Sequence, residues 1–167
     1  MDEEKFALYG FETEIPKDWR VELNPKSERV KGDVAFQTPR GSRFFVSWGA
    51  LEEAEKRFKS LGDHRDTSVQ QIKKGPDVKS VEIKDAKEQD ICGHRALVSH
   101  VTASVKSGFM SRNAVDREMW SAHFYCPDSS RYYIIYSLLR SEQEDKEFQS
   151  VFQNMTGSFR CHTKAVS

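Results

Sequence analysis

Cys92 stands two residues before His94, and Cys161 directly precedes His162, in a chain with five histidines and three cysteines. Thiolate and imidazole are the usual ligands of protein-bound zinc, so metal chemistry would be sought first at these pairs. Their spacing argues against it. No C-x-x-C occurs, and strand alternation sends Cys92 and His94 to one face but Cys161 and His162 to opposite faces, so only one of the latter two would join a site. The expectation is no metal and no other cofactor, with Cys92, Cys126 and Cys161 reduced and packed as small apolar side chains.

A second constellation is His100 with His123. If consecutive strands pair in a meander, these two histidines share a less apolar sheet face with Thr102 and Tyr125, making His100, His123 and Tyr125 a candidate pocket able to bind or titrate near neutral pH. A hydrolase working there would draw its nucleophile from Ser99, Ser104 or Ser121, yet none lies in a G-x-S-x-G or comparable positioning motif. The carboxylates Glu52, Glu53 and Glu55, and Glu142, Glu144, Asp145 and Glu147, fall on helical stretches and read as solvated faces. The nine glycines form neither G-x-G-x-x-G nor a Walker loop, which removes the usual phosphate cradles. Lys26, Arg29, Lys31, Arg40 and Arg43 gather toward one hairpin, but Glu28 and Asp33 interrupt them and no stacking aromatics accompany them, so nucleic-acid binding is not expected.

These residues must be positioned by a chain of 167 residues, the size of one domain; it is taken as a single domain over 1–167 with a short tail from about 163. Mean hydropathy is −0.71 and 31% of residues are charged, yet eleven Phe, five Tyr and three Trp supply bulky core material. Lys plus Arg equals Asp plus Glu at 26 each, so the broad positive field favoured by nucleic acids or anionic membranes is missing. The acidic start "MDEEKFALYG" has no signal-peptide core, and no apolar run approaches the length of a membrane span. The expected setting is the cytoplasm, without membrane insertion.

The elements follow from periodicity. Residues 5–15 read as extended; Pro16 stops the ladder, Lys17-Asp18 turns, and Trp19, Val21 and Leu23 alternate beyond, with Trp19 on the core side. "DVAFQ" and "RFFVSW" flank "TPRGS", a hairpin signal. Leu51, Ala54, Phe58 and Leu61 recur as on one amphipathic helix ended by Gly62, and a weaker helix follows around "DTSVQQIKK". From Val78 the period returns to two: 78–83, 96–105, 118–125 and 131–139 make an antiparallel meander. "YYIIYSLL", apolar at both parities, should be a central strand covered on both faces. "SEQEDKEFQSVFQNM" forms the closing helix, with Ser141 and Glu144 at capping-box spacing, and "SFRCH" adds a short final strand. The class is α+β.

The order "GFETEIPKDWRVE", "DVAFQTPRGSRFFVSW" followed by helix, "ICGHRALVSHVTASV", "YYIIYSLL" and "FQSVFQNMTGSFR" resembles the PsbP-like superfamily, which includes photosystem subunits, a eukaryotic Ran-GTPase release factor and bacterial chaperones for secreted effectors. The positions that match are Ile15, Pro16, Trp19, Gly93, Phe148, Val151, Phe152, Ser158 and Phe159. The resemblance implies an α/β/α sandwich around a twisted antiparallel sheet. It implies no activity, since members differ in role and most act by binding other proteins, and no catalytic motif carries over. With no export signal read at its start, a thylakoid or envelope role like that of the photosynthetic members is not expected.

The expected function is therefore a non-enzymatic protein-binding adaptor or chaperone-like domain whose partner is another protein of unknown identity. The alternative is a small hydrolase or metal-dependent enzyme using the His100/His123 face. The expected contact lies in "KSGFMSRNAVDR", the longest connection of the meander, where Phe109 and Met110, with Arg112 beside them, place apolar bulk at a hairpin tip.

Overall fold

The computed structural model describes residues 2–106, 114–138 and 145–162. In chain order the elements are β1 (Glu3–Leu8), β2 (Phe11–Pro16), β3 (Arg20–Leu23), β4 (Gly32–Gln37), β5 (Arg43–Ala50), α1 (Leu51–Arg57), α2 (Leu61–Lys73), β6 (Val78–Ile91), β7 (His94–Lys106), β8 (Ala114–Cys126), β9 (Arg131–Leu138) and α3 (Asp145–Ser158). All strand pairs are antiparallel. Seven strands form one sheet in the order β3-β4-β5-β9-β8-β7-β6, and β1 and β2 form a separate hairpin.

The stretch read as one strand over 5–15 is thus two, turned at Tyr9-Gly10, both in the left-handed region with φ of 48° and 85°. The Pro16 break is a turn closed by the Trp19 N–H donating to the Pro16 carbonyl at 3.2 Å. Its consequence is larger than a simple reversal. β2 belongs to the small hairpin and β3 to the main sheet, so proline ends one sheet and lets the chain enter another. Trp19 lands half-buried, stacked on Phe44 with ring centroids 5.0 Å apart.

Because side chains alternate, each strand presents one set to each face of the sheet. The inner face carries Val46 and Trp48 of β5, Tyr133 and Ile135 of β9 and Ala122 and Phe124 of β8, all at 0–1% exposure. The β1–β2 hairpin and α3 close over it: Phe11 meets Trp48 at 5.1 Å and stacks on Phe159 at 5.6 Å, and the Thr13 hydroxyl donates to the Met155 carbonyl at 3.0 Å. Phe152, Met155 and Phe159 complete this core. α1 and α2 lie against the outer face, where His64 of α2 meets Tyr132 of β9 at 5.2 Å. The sheet therefore sits between two layers, as an α+β sandwich.

Three elements depart from the expected pattern. The break between the two expected helices comes earlier than Gly62: α1 ends at Phe58, whose φ of −123° and ψ of 136° are extended, and α2, expected around 66–74, already starts at Leu61. The cause is local, because the Ser60 hydroxyl accepts from the Asp63 N–H at 3.1 Å and caps a new N-terminus, leaving Gly62, expected to end the first helix, inside the second. β6 runs on to Ile91, through residues expected to form a loop. "SFRCH" is no strand; it makes one antiparallel bridge, Glu12 with Arg160, and bends at Cys161.

Candidate functional site

The β7–β8 register pairs His100 with Trp120 and Leu97 with His123. Residues paired across an antiparallel ladder share a face, so His100 and His123 lie on opposite faces. The shared pocket expected for them is corrected on that point: His123 and Tyr125 remain together on the outer face, while His100 is on the inner one, stacked on Trp120 at 3.9 Å with its Nε2 3.5 Å from a Glu118 carboxylate oxygen.

The neighbour that sequence reading missed is His64. α2 lays it on the outer face against His123, with ring centroids 5.2 Å apart, and its Nδ1 lies 3.2 Å from the Tyr125 hydroxyl. Phe58 stacks on its other side at 4.0 Å. Only the Ser60 cap reveals that His64 is on a helix at all. Gly49 is part of the same arrangement, since a Cβ there would stand 2.5 Å from the Tyr132 ring that touches His64. Burial holds His123 neutral and lowers its pKa to about 3, with His64 and Arg65 adding to the effect. Burial likewise lowers His64 to about 4, Arg57 adding to it and Asp63 opposing.

Hydrogen-bond direction decides what this cluster can do. The Ser68 hydroxyl lies 3.1 Å from the His64 carbonyl and 3.2 Å from His123 Nε2, and while its one proton is given to the carbonyl the ring nitrogen is the donor in the second contact. A nucleophile–base pair needs the opposite polarity, with imidazole accepting from serine. The remaining nitrogen, His123 Nδ1, is buried without a hydrogen-bond partner among the described residues, so no carboxylate orients the ring. Ser99 accepts a hydrogen bond from Arg65 Nη1 at 2.9 Å. The cluster packs as polar core.

A crevice of about 320 Å³ opens between α2 and the sheet, with His123, Ser68 and Ser121 in its wall and Val69, Ile72, Met119, Ile134, Tyr136 and Leu138 supplying most of its surface. A larger depression of about 460 Å³ lies beside α1, with Arg29, Glu52, Glu55 and Arg131 in its walls. The first is apolar and shaped by sheet side chains; the second mixes charges of both signs.

A second cluster forms where the ends of β7 and β8 meet the segment after α3. One donor atom each from His94, Cys126, Cys161 and His162 lies within 4.8 Å of all the others. His162 Nδ1 is 3.2 Å from the Cys161 sulfur and 3.5 Å from that of Cys126. The alternation argument that separated Cys161 from His162 fails here because the chain bends at Cys161 instead of running extended. Cys92 does not share a strand with His94 either: with φ of 55° it occupies the two-residue Cys92-Gly93 turn between β6 and β7, and its sulfur accepts from the Cys161 N–H at 3.3 Å. All three cysteines are free thiols. Burial pushes the Cys161 thiol far above its ordinary range, and the sulfurs of Cys126 and Cys92 add to this. Phe109, Met110 and Arg112 lie outside the described residues.

No protein-family model matches the chain, and no curated protein matches it in sequence. Its fold is nonetheless shared with solved structures. Cyanobacterial PsbP (CyanoP) from Synechocystis sp. PCC 6803 superposes with a TM-score of 0.67 at 15% identity, over 95% of this chain and 91% of that one. The Ran-binding protein Mog1p of Saccharomyces cerevisiae gives 0.64 at 10% identity, over 96% and 95%. The fold anticipated from the sequence, that of PsbP and Mog1, is the fold observed.

Proposed function

We propose that this chain, on the fold it shares with PsbP and Mog1p, acts as a non-enzymatic protein-binding module, and that the crevice beside α2 receives apolar side chains of its partner. The observation that carries this reading is the uneven cover of β9. Its inner residues Arg131, Tyr133, Ile135 and Ser137 are buried, whereas Tyr132, Ile134 and Tyr136 on the outer face are half-buried and Leu138 is 47% exposed. A central strand of a seven-stranded sheet is ordinarily covered on both faces. Here a crevice opens between Val69 and Ile72 of α2 and the strand, and half-buried Phe45, stacked on Tyr136 at 4.8 Å, extends the partly covered apolar strip onto β5. Exposed apolar surface of this kind marks contact sites.

The sheet edges make poorer contacts. β3 has four residues, and β6 is charged along its length with register shifts in its pairing, features that discourage addition of a further strand. The face is left as the place to bind. Mog1p is a Ran-binding protein, which agrees with a protein partner for this fold. No helix among the described residues is long and apolar enough to cross a membrane.

The test is affinity capture from lysate of the source organism with wild type, Leu138→Asp and, as a control on another surface, Val30→Asp, since Val30 is also exposed, at 53%. The expected result is one set of partners captured by wild type and Val30→Asp and lost with Leu138→Asp, all three melting within a few degrees of each other. Equal capture by all three proteins overturns the assignment of the surface.

A further inference from the structure

We propose that His94, Cys126, Cys161 and His162 form a structural zinc site. Two sulfurs and two imidazole nitrogens are a donor set that selects zinc over magnesium or calcium, and two thiolates neutralise its charge. With bond lengths of about 2.05 Å to nitrogen and 2.3 Å to sulfur, the edges of a zinc tetrahedron measure about 3.3–3.8 Å. The contacts of His162 Nδ1 to the two sulfurs, 3.2 and 3.5 Å, already approximate such edges, and all four donors lie within 4.8 Å of one another.

The surroundings are built for a ligand cluster and not only for packed thiols. Both ligand sulfurs come from fully buried residues, while the two histidines reach in from the half-buried rim. The Cys161 backbone is fixed on both sides: its N–H donates to Cys92 Sγ at 3.3 Å, and its carbonyl accepts from Tyr133 Oη at 2.8 Å and Arg131 Nη2 at 3.3 Å. The adjoining Arg160 is tied to Glu12 by two backbone hydrogen bonds of 2.8 and 2.9 Å. One Asp128 carboxylate oxygen lies 3.5 Å from His94 Nε2 and 3.9 Å from His162 Nε2, close enough to complement charge at the two imidazoles but longer than a hydrogen bond. Four protein donors leave no open position, so the site is structural. It would fasten the segment after α3 to the ends of β7 and β8.

The experiment is titration of the reduced, chelator-treated protein with Co²⁺, followed by displacement with Zn²⁺, and metal analysis of protein prepared without chelator. Wild type should bind about one ion per chain, with intense tetrahedral ligand-field bands and sulfur-to-cobalt charge transfer that zinc abolishes. Cys126→Ser and His162→Gln should lose stoichiometric binding; Cys92→Ser, which removes a sulfur outside the ligand set, should keep the tetrahedral spectrum. Should Cys126→Ser fail to fold, the half-buried His162 and the wild-type spectrum still decide. A wild-type protein that shows no tetrahedral cobalt spectrum overturns the site, as does binding lost in Cys92→Ser as completely as in His162→Gln. Partner capture through the α2 crevice is unaffected by either outcome.

Discussion

His123 shows how far burial governs a single side chain in this molecule. At 2% exposure beneath α2, facing His64 and Arg65, it folds as the neutral imidazole, and His64 does the same. The unfolded chain takes up protons on both near pH 6.5, whereas the folded chain resists until about pH 4 for His64 and about pH 3 for His123. Between those limits the unfolded state binds more protons, so stability falls as pH falls from about 6.5 toward 4. Chemical denaturation across that interval should give a slope for His123→Gln shallower than wild type by up to one proton; identical slopes would mean His123 is protonated in the folded state. The residue was visible in the sequence but its surroundings were not. Parity along one strand does not say which residue of the next strand stands opposite, and a register of Leu97 with His123, not of His100 with His123, moved the two histidines to opposite faces.

At the scale of elements, turn chemistry was the most legible signal. The "TPRGS" hairpin forms as read, with Gly41 at a φ of 88° and the Thr38 hydroxyl accepting from the Ser42 N–H at 3.1 Å. β6 was legible only over 78–83; its continuation to Ile91 was not, because "VKSVEIKDAKEQDI" is an edge strand whose side chains are mostly exposed on both faces, and a strand that buries so little carries little hydrophobic period. The split of α1 from α2 was hidden by a continuous apolar repeat through Phe58 and Leu61; the decisive residue is the cap. Ser60→Ala should cost about 1 kcal/mol of stability, as loss of an N-cap does, and should reduce order at His64, readable as faster amide exchange over 61–65. No change in either quantity would show that tertiary packing alone sets the start of α2. In the cysteine cluster, His94, Cys161 and His162 stand out by residue type but fail on spacing for a comparable reason: the donors come from a strand start, a strand end and a bend, and spacing rules describe ligands supplied by one local motif.

For the whole molecule, the order of strands, helices and aromatic positions resembled one superfamily closely enough to anticipate the fold, and the shared sandwich bears this out. Function is less legible because it depends on which part of a sheet face is left uncovered. "YYIIYSLL" is apolar at both parities, but on the outer face a crevice separates Val69 and Ile72 of α2 from Ile134, Tyr136 and Leu138, and Leu138 is left exposed. The central claim is that this gap is a protein-docking surface. Its most direct test places a photo-reactive phenylalanine analogue at position 138, and separately at the exposed Ile83 of β6, followed by irradiation in lysate and mass-spectrometric mapping of adducts. The prediction is that position 138 yields adducts to one protein partner, clustered on a short segment with apolar side chains, and that position 83 does not. Adducts of the same kind and yield from both positions, or none from position 138, would contradict it.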